Sequence, residues 1–131
     1  MTVSVKWFNP EQTIVLYTLE GHWTWNELYP EYDKAIEMEE GVSHRVDVMI
    51  DMRKSTGVPL SALTHLKNIS DKQPENIGVS VIVTTNRLVL TLYRAGCRFH
   101  TNIERYFAVA ATEGEALQII ERQRQTTKKT A

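Results

Sequence analysis

The sequence predicts a single α/β domain built on a small, mostly parallel sheet. Three observations carry this reading. β-Branched runs alternate with helical patterns from residue 13 onward, which implies parallel strands joined by crossovers. Two of the helical patterns open on capping boxes, at Thr24/Glu27 and Thr112/Glu115. Only the first two strands are joined by a connection too short to hold a helix.

Residues 3–8 alternate, with Val5 and Trp7 on one side and Ser4 and Lys6 on the other, the period of a half-buried strand. Asn9-Pro10-Glu11-Gln12 suits a type I turn with Pro10 at its second position. Residues 13–20 (TIVLYTLE) make the second strand, so the first two strands form an antiparallel hairpin. The first helix runs from the Thr24 cap to about Glu40, with Leu28, Tyr32, Ala35 and Ile36 on one face and Gly41 as its stop. Pro30 either opens the main helix after a separate first turn or kinks it. Residues 46–52 are the third strand. A second helix is expected from Pro59, with Leu60, Leu63, Leu66 and Ile69 inward. Residues 77–84 (IGVSVIVT) form the fourth strand. Asn86 caps a third helix that carries Leu88, Val89, Leu92 and Tyr93 and stops near Gly96. Residues 106–110 are the fifth strand, and a fourth helix buries Ala116, Leu117 and Ile120. The domain covers residues 1–125, and 126–131 is a polar tail expected to be disordered.

The order is ββαβαβαβα. With the strands side by side in chain order, the crossover helices fall mainly on one face. The sets Val46/Val48/Ile50 and Val79/Val81/Val83 then face the helices. Asp47/Met49/Asp51 and Ser80/Ile82/Thr84 are left on a half-polar, uncovered face. Met49 and Ile82 on that face, and an exposed first strand blocked only by Lys6, predict a homodimer.

At 131 residues the chain supports one core and not two. A net charge of −1 leaves no electrostatic footprint for nucleic acid. The single cysteine, Cys97, excludes an internal disulfide. No run reaches the ~18 apolar residues of a membrane span, and no basic-then-apolar leader precedes the first strand. With a lone thiol, these features point to the cytoplasm. His22, His44, His65 and His100 lack metal-site spacing, and Cys97 with His100 lacks a second pair. No nucleophile elbow and no phosphate-binding glycine loop is present. Neither an enzyme, nor a metal, nor a cofactor is expected.

Three features together resemble the SpoIIAA-like fold of STAS (anti-sigma-factor antagonist) domains and their STAS/SEC14-like relatives. They are the element order, the segment Gly21-His22-Trp23-Thr24-Trp25 entering a helix that contains Pro30, and Val48-Met49-Ile50-Asp51-Met52-Arg53 closing the third strand. The resemblance spans residues 3–124. In the regulatory branch of that family an Asp-Ser-Ser-Gly loop carries a serine phosphorylated at the start of the next helix. Here Ser55-Thr56-Gly57 stands in for Ser-Ser-Gly, making Ser55 and Thr56 candidate phosphorylation sites. Lys54 replaces the aspartate and the loop is shorter, which favours the less characterised branch.

The loops after the parallel strands gather at one end of the sheet, beside helix N-termini that favour anions. This rim holds the candidate binding residues Trp23, Trp25, Asp51, Arg53, Lys54, Thr85, Asn86 and Arg87. Asp51 either orients Arg53 or caps its own turn. Trp23 and Trp25, with Tyr29 and Tyr32, either pack the core or present a binding wall. The resemblance implies a non-enzymatic regulatory or protein-interaction module that binds a partner protein or itself. The alternative is a small-ligand binder of the SEC14-like type, for a lipid, an amphiphile or a phosphate-bearing molecule.

Overall fold

The computed structural model describes residues 2–130, and side chains through residue 126. The elements are β1 (Val3–Trp7), β2 (Ile14–Gly21), α1 (Trp25–Glu40), β3 (Val46–Ser55), α2 (Ala62–Ser70), β4 (Ile77–Val83), α3 (Arg87–Phe99), α4 (Thr101–Tyr106), β5 (Phe107–Ala110) and α5 (Glu113–Thr130). One sheet runs β1-β2-β3-β4-β5 in chain order. β1 and β2 are antiparallel, and all other pairs are parallel. This is the mixed α/β sheet expected from the alternation of strands and helices. The polar tail expected over 126–131 falls mostly on side chains outside the described residues.

Several boundaries differ from the sequence reading, each for a local reason. α1 is continuous through Pro30, with both halves of the Thr24/Glu27 capping box formed. α2 begins at Ala62 and not at Pro59, because Ser61 takes a left-handed conformation (φ 67°) that no helix can include. Leu60 is therefore turned out to solvent, 90% exposed. β3 continues to Ser55, because it takes up one extra residue between Asp51 and Lys54, a bulge opposite Thr18–Glu20 of β2, and then pairs Lys54 with Glu20 and Ser55 with Gly21. α3 does not stop at Gly96. A side chain there would press on Ile103 of α4, with a Cβ 3.0 Å from Ile103 Cδ1, so the glycine serves a close helix–helix approach. α4 itself has no counterpart in the sequence reading.

The two sheet faces also differ from expectation. β3 and β4 pair Val46 with Ile77 but Val48 with Ser80, a one-residue irregularity at Asp47. A one-residue slip moves every later side chain to the opposite face. Val48 and Ile50 consequently share a face with Ser80 and Ile82, under α1, α2 and α3. Met49 shares the other face with Val79, Val81 and Val83, beneath Ala116 and Ile120 of α5. Met49 and Ile82 thus lie on opposite faces, both buried. The half-polar open face, from which a homodimer was expected, is not formed by these residues.

Candidate functional site

Ser80 is the small residue of its row, paired between Val48 and Phe107. The space above it, between the sheet and α1, α2 and α3, is a cavity of about 130 Å³. Tyr17 and Leu19 of β2, Ile50 and Met52 of β3, and Leu66 of α2 supply much of its wall. Along β3 the wall runs from Val48 to Met52, four steps of roughly 3.3 Å each.

The carboxyl end of this cavity is built by the tryptophans. Trp23 is buried, and its Nε1 donates to Ser55 Oγ at 2.9 Å. Trp25 meets Trp23 edge-on at 4.9 Å and stacks on His65 of α2 at 4.2 Å. Its Nε1 donates to the Leu60 carbonyl at 2.8 Å. The Tyr29 hydroxyl hydrogen-bonds His65 Nδ1. The start of α1 and the start of α2 are joined in this way by rings and hydrogen bonds.

α1 runs antiparallel to the strands it connects, so its last turn lies at the amino end of the sheet. There Glu39 is 3% exposed and lines the cavity. Burial pushes its carboxyl up to about 7, with the Glu40 charge adding to the effect. Tyr17 and Tyr32 line the same region, and both phenols are raised, first by burial and then by the Glu39 charge. Gln73 and Ser80 complete the polar part of the wall. No lysine, arginine or histidine lines the cavity among the described residues.

The residues of the expected rim have different surroundings. Trp23 and Trp25 belong to the cavity. Asp51 and Arg53 alternate with Ile50 and Met52 and so point to the α5 side of the sheet. Asp51 both orients Arg53 and binds its backbone: Arg53 Nε and Nη2 donate to the carboxylate at 3.0 and 2.9 Å, and Arg53 N at 3.0 Å. These bonds hold the Asp51 carboxyl below its usual range. Lys54, Thr85 and Arg87 are exposed, and Asn86 caps α3 through Leu88 N and Val89 N. Ser55 accepts from Trp23 and donates to the Gly57 carbonyl at 2.7 Å. Thr56 Oγ1 lies 3.0 Å from His22 Nδ1. Residues 56–61 separate Ser55 from the first residue of α2, so neither hydroxyl stands at that helix start.

The sequence reading missed Glu39, Tyr17, Ser80 and His65 as site residues. Glu39 had a visible signal. The stripe Leu28, Tyr32, Ala35 steps by four and three, and another four reaches Glu39. Among the described residues, no helix is long and apolar enough to cross a membrane.

No protein-family model matches the sequence, and no curated protein does. Among solved structures, the chain is similar to an uncharacterized protein of the DUF3478 family with a SpoIIAA-like fold, from Shewanella loihica PV-4. The two superpose with a TM-score of 0.61 at 14% identity, over 88% of this chain and 90% of that one. With strand order, crossover helices and overall superposition in agreement, the fold of this chain is SpoIIAA-like.

Proposed function

We propose that this chain is a non-enzymatic binding module of the STAS type that takes a small amphiphile into the cavity between its sheet and α1–α3. The supporting observation is the cavity itself. At about 130 Å³ it is comparable with an apolar cavity of roughly 150 Å³ that binds benzene. Its aromatic and aliphatic walls with a few polar groups at one end follow the usual pattern of small-molecule sites. A carboxylate in the wall, with no cation beside it, favours an amphiphile over a phosphate-bearing ligand.

Native mass spectrometry of the purified protein, with titration of the small neutral fluorophore 2-naphthol, tests this function. A retained small molecule or saturable fluorophore binding is expected. Leu66→Trp fills the cavity from α2 and should weaken fluorophore binding at least about tenfold, with the far-UV spectrum unchanged. A wild-type protein that neither retains a small molecule nor binds the fluorophore saturably overturns the proposal. A second reading, a surface for a partner protein or a second copy, is favoured by Leu60 and Leu88. Both are large, apolar and exposed (90% and 55%) on segments that follow strand carboxyl ends. The same native spectra read self-association directly as a dimer mass.

A further inference from the structure

Glu39 is withdrawn from solvent, yet among the described residues its carboxylate forms no hydrogen bond and no ion pair. Its backbone is fixed, with the carbonyl accepting from Asn76 Nδ2 at 2.8 Å, so this turn of α1 is pinned. Among the described residues no buried side-chain nitrogen or oxygen is sealed in without a partner. The carboxylate therefore keeps contact with open space, and the cavity is the space it lines. A buried carboxylate without a partner is rare, because desolvation destabilises the ionised group strongly. The groups that interact electrostatically with it are Tyr17 from β2 and Tyr32 and Glu40 from α1, and the neutral Gln73, beyond α2, lines the same cavity. None of them carries a positive charge. The Tyr17 and Tyr32 hydroxyls also make no hydrogen bond among the described residues.

We propose that the cavity selects an amphiphile bearing a primary ammonium group, seated against the Glu39 carboxylate beside Tyr17 and Tyr32, with its apolar tail along β3 toward Trp23. This rests on the cavity-binding function proposed above. An ammonium brings three donors and a full charge to a site that lacks both. Tyrosine rings beside it add attraction for a cation. The carboxylate is already desolvated before the ligand arrives, so pairing relieves an existing penalty and does not create one for Glu39. A fatty carboxylate would meet an unscreened like charge, and an alcohol would satisfy only part of the site.

The test displaces 2-naphthol with n-octylamine, n-octanol and n-octanoate, which share one tail. Burial holds Glu39 near 7, so the competition is run at about pH 8, where carboxylate and ammonium are both charged. Octylamine should displace the fluorophore at about a tenfold lower concentration than octanol, with octanoate weakest. Glu39→Gln should remove the amine's advantage, bringing octylamine to or below the level of octanol, and leave octanol unchanged. Octanol or octanoate competing as well as the amine overturns the proposal, as does an amine preference that survives Glu39→Gln. If the fluorophore binds but the amine has no advantage, only the ammonium assignment falls. If nothing binds, the cavity function falls with it.

Discussion

Asp47 is completely buried and receives Arg45 Nη2 at 3.0 Å, Arg124 Nε at 2.8 Å and the Val79 N–H at 2.8 Å. Glu39 is almost as buried, and its carboxylate receives nothing from the described residues. The contrast has a thermodynamic signature. The folded Glu39 carboxyl titrates near 7 against an ordinary 4.5, so the folded state holds this proton more tightly than the unfolded chain. Its contribution to stability is most favourable below about pH 4.5, falls as pH rises toward 7, and levels off above that. A shift of this size corresponds to about 3 kcal/mol. Glu39→Gln should remove the slope, leaving a protein more stable than wild type at about pH 8 in urea unfolding. An unchanged pH profile would show that the burial penalty is absent. In the sequence, the spacing of the helical stripe already placed Glu39 inward. The lack of any counter-charge was not legible, because it depends on what β2 and the end of α2 bring to the same place.

At the scale of elements, the longer periodic segments were legible, even the uncapped α2, and the shortest helix was not. α1 carries the complete box, Glu27 N donating to Thr24 Oγ1 at 3.2 Å and Thr24 N to Glu27 Oε1 at 3.1 Å. Thr24→Ala should cost about 1 kcal/mol in a denaturant titration, the usual value of an N-cap, and a loss below a few tenths would show that packing alone holds the helix start. α4 escaped notice for the converse reason. It has six residues, its N-cap His100 makes no side-chain capping bond, and its one buried side chain is Ile103. The loop expected at residues 53–57 became strand as far as Ser55 through a bulge, and bulges leave no periodic mark. That extension separates Ser55 from α2 and ties it to Trp23.

For the whole molecule, the strand order was readable because each parallel strand pairs with its neighbour in sequence. The placement of α5 was not. It hangs on contacts between residues far apart in the chain, where periodicity carries no information. Arg124 bonds Asp47 across 77 positions and the Thr13 carbonyl across 111. Gly78 allows this clamp, since a Cβ there would stand 2.2 Å from both Arg45 Nε and Asp47 Oδ1. The sheet grows by pairings such as Ile14 with Asp47 and Val46 with Ile77, closer in the chain than Arg124 is to either of its partners, so the Arg124 bonds wait for β2 and β3 to be in place. Contacts made after the rate-limiting step slow unfolding without speeding folding. Arg124→Met removes charge-assisted bonds worth roughly 2 kcal/mol. In stopped-flow measurements it should leave the refolding rate unchanged and raise the unfolding rate about 30-fold. Slower refolding of the variant would instead place α5 in the folding nucleus. The lifetime of the native chain is then set by the release of α5, and a protease that attacks only opened molecules must wait for the Arg124 bonds and the packing of Ala116 and Ile120 to give way together.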